Sequence, residues 1–327
     1  MTTSYHTTKA PLTPRIPELD YLKGILILHV ILIHLVFLGE SHPQFKEFIL
    51  HYTTPAFFVI SGYLAHVNKP LKPFAKKVFW WAIPYIIMES GYIVMASILP
   101  IKEHINHLSL TVFAQHLFLQ PLGPYWYIHN LICCYIGYYI FDKFTQKRNL
   151  PWTIHIRIAG IFVFFLVLYA ASPESCLFFV FGILIHSTKK IGFMGYFIVS
   201  ILSIPLLALC YVWKGTAYLQ VPDFFYTCVT TYFAIGFLLY LHQLIPEKIS
   251  GFIGFIGRNT LAILLFSPMF TILTKYIVPL FRFDSTCILF ALVSVSFTTA
   301  GCLSIARLLD WFKLSPYFCG TQHFFKK

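Results

Sequence analysis

Ten apolar runs follow one another between residues 22 and 308, and they leave the chain almost no room for anything but membrane-spanning helices. They cover 22–39, 48–67, 79–99, 125–141, 156–171, 175–187, 193–213, 224–243, 260–280 and 286–308. A spanning helix needs about 20 apolar residues, within roughly 17–25. The sixth run is short and requires tilt or borrowed flanking residues. Only 11% of the 327 residues are charged while 58% are hydrophobic, against roughly 25% charged in a soluble domain. Such a chain cannot clothe a water-facing surface. The expected fold is all-α, a polytopic membrane helix bundle of about ten transmembrane helices. One membrane domain at 22–308 would lie between an N-terminal tail, 1–21, and a C-terminal tail, 309–327. The first run follows a polar stretch and is succeeded at once by others, so it reads as a resident helix rather than a cleavable signal.

The net charge of +12 is distributed through the loops. The loops after the even-numbered runs hold Lys69, Lys72, Lys76 and Lys77, then Lys143, Lys147 and Arg148, then Lys189 and Lys190, then Lys248 and Arg258. The loops after the odd-numbered runs hold at most one basic residue each: Lys46, Lys102, none, Lys214 and Arg282. Basic residues favour the cytoplasmic side, so both termini are expected there. Charge placed by topology rather than along one amphipathic face argues against a nucleic-acid partner. The eight cysteines show no CxxC spacing and lie mostly inside apolar runs. They read as small hydrophobes, with neither a metal site nor a disulfide framework expected. Residues 107–120, in the loop after the third run, have helical apolar spacing with polar breaks and predict an interfacial helix on the outer face.

The first run carries ionisable residues at helical register. Lys23 and His34 are separated by about 20° around an α-helix and by about 16 Å along it, and Asp20 lies within about 60° of both. His29 points some 120° away from Lys23. Lys23 would sit near the cytoplasmic edge and His34 near mid-membrane. An ionisable group at that depth is costly and marks a functional candidate, and histidine suits proton transfer near neutral pH. Glu89, inside the third run, is as costly a group and reads either as a site acid or as a structural partner. In the second run Pro55 should kink the helix, while Ser61 and Gly62 permit close helix contact. His51, Tyr52, His104, His107, His116 and His129 fall toward the outer face, where as a set they can line an acceptor cleft.

Several motifs, taken in order, resemble the membrane acyltransferase 3 family, which O-acylates glycans and other acceptors. They are Asp20, Lys23 and His34; Phe57, Phe58, Ser61, Gly62 and Tyr63; Lys76, Lys77, Trp81, Pro84 and Tyr85; Trp126, Tyr127, Ile128 and Leu131; and Gly257, Arg258, Asn259, Thr260 and Leu261. The chain departs from the family in two places. Lys23 stands where arginine is commoner, keeping the cation but losing the bidentate fork. After Asn259 the sequence reads Leu265-Phe266-Ser267-Pro268, without the histidine often found there.

The resemblance implies transfer of an acyl group, preferably acetyl, from cytoplasmic acyl-CoA to a hydroxyl of an extracytoplasmic or lipid-linked glycan, in the inner membrane of a bacterium, without a metal. It implies catalytic roles for His34, Lys23, Asp20 and Glu89. Lys23, Lys72, Lys76, Lys77, Arg148, Ser61 and Tyr63 would meet acetyl-CoA. His51, Tyr52, Trp126, Tyr127 and Asn259 would meet the glycan or glycolipid acceptor. His34 would act as general base or carry the acyl group itself. The alternative from another class is a transporter or flippase of a lipid-linked glycan, although no repeated halves or matched broken helices are present.

Overall fold

The computed structural model describes residues 15–98, 103–148, 160, 172–188, 192–215 and 223–326. Every regular element among them is helical. In order these are α1 (Pro17–His34), α2 (Val36–Ser41), α3 (Pro43–Tyr63), α4 (Leu71–Ile98), α5 (Leu110–Phe118), α6 (Trp126–Arg148), α7 (Pro173–Ser187), α8 (Ser203–Gly215), α9 (Asp223–Leu244), α10 (Glu247–Arg258), α11 (Thr260–Leu273), α12 (Ile288–Trp311) and α13 (Ser315–Cys319). Short 3₁₀ segments lie at Gly123–Tyr125, Phe193–Tyr196 and Thr274–Phe281.

Four of these stretches are long and apolar enough to cross a membrane: α4, α9, Thr260–Phe281 and α12. They bear exposed apolar side chains such as Phe79, Ile87, Val94, Leu292 and Phe297. Contiguous exposed hydrocarbon of this kind is stable only against lipid, and the protein is an integral membrane protein. Among the described residues the expected count of about ten spans is not confirmed. The fifth run, 156–171, lies outside the described residues. The seventh run, 193–213, is a 3₁₀ turn followed by the 13-residue α8, too short to span upright. The interfacial helix expected at 107–120 is α5, capped by the Ser109 hydroxyl, which accepts from the Val112 amide.

Two helix pairs approach backbone to backbone, and glycine makes both possible. On α3, a Cβ at Gly62 would lie 1.9 Å from the Phe179 carbonyl oxygen of α7, and one at Gly182 would lie 2.0 Å from that of Val59. On α1, a Cβ at Gly24 would lie 2.1 Å from the Ile253 oxygen of α10, and one at Gly257 would lie 1.8 Å from that of Asp20. Small residues at such crossings let helices close up where no hydrophobic effect drives them together. α10 was not among the ten runs: Gly251, Gly254 and Gly257 lower its intrinsic helix propensity, yet their i, i+3, i+6 spacing forms the small-residue side, of which Gly254 and Gly257 are buried against α1.

Two further departures bear on the site. α1 ends at His34 instead of continuing to 39. No proline or glycine stops it. The His34 ring bonds to the Val30 carbonyl, a back-bond that competes with the helical ladder, and the Leu35 amide turns to the Leu32 oxygen. α3 is a continuous helix through Pro55. Pro55 has no N–H for the His51 carbonyl, and the Thr231 hydroxyl of α9 donates to that oxygen at 3.5 Å.

Candidate active site

α1 is seated on α10 by its glycines, and this seat presents Asp20 and Lys23 at the helix's N-terminal end. Lys23 Nζ lies 2.6 Å from Asp20 Oδ1, an i, i+3 ion pair. The two residues line a cavity of about 320 Å³ with Arg15, Tyr63, His66 and His186. Tyr63, the last residue of the Phe-Phe-x-x-Ser-Gly-Tyr motif, meets the His186 ring edge-on at 5.4 Å, and His66 meets the same ring at 5.2 Å. Three cations or potential cations therefore accompany Lys23, and among the described residues Asp20 is the carboxylate that lines the cavity. Such a mouth suits an anion.

His34 terminates α1 at its other end and is exposed. Its Nδ1 lies 2.7 Å from the Val30 carbonyl oxygen. A carbonyl only accepts, so Nδ1 carries the hydrogen and Nε2 holds the lone pair. Nε2 is thus the nitrogen available to act as base or nucleophile. His34 is the last residue of α1 rather than a position in the middle of a longer helix.

A second cavity, of about 300 Å³, is lined by His51, Thr54, Trp126, Glu174, Ser175 and Thr227, among others. His51 Nδ1 is 3.0 Å from the Thr227 hydroxyl, and its ring stands edge-on to Tyr226 at 5.0 Å. Two of the residues expected to meet the acceptor, His51 and Trp126, are thus brought together. The others are not. The Tyr52 hydroxyl turns to His29 Nδ1 at 3.3 Å. Tyr127 bonds Ser61 at 3.1 Å and packs on Phe57 and Phe58. Asn259 lies at the Lys23 end, where its amide is fully used by backbone: Nδ2 donates to the Phe255 and Lys326 oxygens and Oδ1 accepts from the Lys326 amide. Of the further outer histidines, His129 is buried on the Phe118 carbonyl and anchors α5 to α6.

The remaining expected residues divide by surroundings. Glu89 is fully buried, and its Oε1 accepts from the Leu122 amide at 2.6 Å. It holds the loop that enters α6. Lys77 donates to the Tyr135 hydroxyl at 2.9 Å and sits over the Trp81 and Tyr135 rings, while Tyr135 donates to the His66 carbonyl. Lys77 therefore braces the wall of the Lys23 cavity. Lys72 and Lys76 are exposed at the start of α4. The Arg148 side chain lies outside the described residues.

Sequence reasoning missed His66 and His186 as partners of Lys23. The signal was present: they close the second and sixth runs, whose ends both fall on the side expected to be cytoplasmic. His29 lines a mainly apolar cavity of about 970 Å³ with Leu28, Leu32, Phe252, Ala291 and Leu303.

No curated protein and no solved structure matches the chain. The acyltransferase domain family matches residues 16–307, nearly the whole length, and so takes in every element from α1 to the end of α12's apolar stretch. With the ion pair, the oriented His34 and the lipid-facing helices already described, that match means the chain belongs to the acyltransferase 3 family of membrane acyltransferases.

Proposed function

We propose that the protein moves an acetyl or other short acyl group from cytoplasmic acyl-CoA to a hydroxyl of an extracytoplasmic or lipid-linked glycan. The observation that carries this reading is the lone pair of His34 Nε2, left outward by the bond from Nδ1 to Val30. The phosphates of the donor would meet Lys23, Arg15 and the exposed Lys72 and Lys76 at the cytoplasmic mouth. The acceptor sugar would enter the second cavity, where Trp126 offers an aromatic face and His51 and Glu174 offer polar contacts. The rise of about 16 Å from Lys23 to His34 sets the reach required of the donor's pantetheine arm.

In the direct route, His34 Nε2 takes the proton of the acceptor hydroxyl as that oxygen attacks the thioester carbonyl. The tetrahedral intermediate collapses, the carbon–sulfur bond breaks, and the thiolate recovers the proton from His34. In the two-step route Nε2 attacks the thioester carbonyl first and the thiolate leaves; the acceptor oxygen then takes the acyl group from Nε2 as its proton passes to the thiolate, restoring neutral His34. Both routes need the same tautomer. Asp20 orients Lys23 in either.

The test is transfer from labelled acetyl-CoA by purified protein, with Lys23→Ala and Lys23→Arg compared. A retained cation still meets phosphate, so Lys23→Arg should keep most activity while Lys23→Ala loses about tenfold in use of acyl-CoA. Full activity in Lys23→Ala would leave Lys23 no part in donor binding.

A further inference from the structure

Residues 315–326 are not a free tail. α12 ends beside Asp310, whose carboxylate gathers the chain that follows: Oδ1 accepts from the Phe324 amide at 2.6 Å and Oδ2 from the Phe325 amide at 3.0 Å. Gly320 makes the return turn at φ 67°, against the face of Trp80, where any Cβ would lie 2.1 Å from the ring. Phe324 is buried and packs with Phe318 and Phe266. Phe325 meets Phe255 of α10. Asn259 then clasps Lys326 by both main-chain groups, at 2.8 Å each. Asn259 lies two residues beyond Gly257, which abuts the Asp20 backbone. The end of the chain is thereby fixed next to the ion pair of α1, with the Lys326 side chain exposed.

We propose that this folded-back segment is a wall of the donor site and that Lys326 is a further binding residue for the phosphates of the thioester donor, alongside Arg15 and Lys23. The inference rests on the acyl-CoA reading above. Arg15 and Lys23 line one cavity with Asp20, and the Asn259 clasp holds residue 326 beside the same end of α1, so a bound anion would complement these cations. Crowding by surrounding protein, then the like charge of Lys23, lowers the Lys326 ammonium below the ordinary lysine range, with Asp20 opposing and Arg15 adding to the effect. A bound phosphate relieves that repulsion. Because Asn259 holds only the backbone of residue 326, side-chain substitutions there leave the clasp in place.

The experiment is calorimetric titration of the full-length protein in detergent with CoA and, separately, with phosphate-free pantetheine. Losing one hydrogen bond to a charged group should weaken CoA binding by about tenfold in Lys326→Ala. Lys326→Arg should restore it, pantetheine binding should not change, and the melting temperature should stay at the wild-type value. Asn259→Ala should weaken CoA binding similarly while also lowering the melting temperature. Wild-type CoA affinity in Lys326→Ala would overturn the inference and leave the acyl-CoA reading standing. Absence of CoA binding by the wild-type protein would overturn that reading, and this inference with it.

Discussion

His29 and His34 stand on the same helix, and the regions around them are built differently. About 140° separates them around α1. His29 is half-buried, meets the Tyr52 hydroxyl at 3.3 Å and faces a mainly apolar cavity of about 970 Å³. A hydroxyl can donate or accept, so nothing there dictates which ring nitrogen carries hydrogen. His34 is exposed, at the helix end, and its Nδ1 is committed to a carbonyl. The difference teaches that two histidines of one helix can be set up for different chemistry. What separates them is a backbone acceptor that fixes the His34 tautomer and the exposed setting of its ring. It also teaches why α1 stops where it does, since the bond that orients the ring disturbs the ladder beneath it.

The largest effect should come from unseating the helix that carries both histidines. In Gly257→Val the new Cβ falls on the Asp20 carbonyl oxygen, a backbone atom that cannot swing aside. Overpacking costs about 1–3 kcal/mol where side chains can adjust, and more where they cannot. The expected outcome is severe loss of folded protein, read by detergent-stable yield and melting temperature, with both histidine regions lost together. A stable, active variant would mean that α1 and α10 do not meet at this crossing. A much smaller change is expected from Tyr52→Phe. It removes one long hydrogen bond near His29 and should cost about 1 kcal/mol or less, seen as a small drop in melting temperature. Acyl transfer per folded molecule should stay within about twofold. A large loss of transfer at unchanged stability would move the chemistry from His34 to the His29 side.

Much of this arrangement could be read from residue spacing. The 100° step of the α-helix put Asp20 beside Lys23, and the structure pairs them at 2.6 Å. Small residues at 61 and 62 announced a close crossing, realised by Gly62 against Phe179. Other features had no local signal. The end of α1 depends on a side-chain bond rather than on a helix breaker, so the run of apolar residues through Leu38 concealed it. α10 carries three glycines, which argue against a helix until its partner is known. Asn259 and Asp310 act on the main chain of residues 324–326, a long-range pairing that no periodicity encodes. His51 and Trp126 come from different helices, and only packing shows that they share a cavity while Tyr52 and Tyr127 turn away.

Both described chain ends, Arg15 and Lys326, lie at the Lys23 end of α1, in keeping with the proposed donor side common to both. The central claim remains the division of labour on α1. It is tested most directly by measuring acyl transfer from labelled acetyl-CoA, with melting temperature alongside, in His34→Ala and His29→Ala. Loss of a general base costs about 10²–10⁴-fold in rate. His34→Ala should show that loss at a melting temperature close to wild type, because the exposed ring contributes little packing. His29→Ala should keep most of its activity per folded molecule, with a modest fall in stability from the emptied contact with Tyr52. Near wild-type transfer by His34→Ala would contradict the account, and would favour a protein that carries a lipid-linked glycan across the membrane without acylating it.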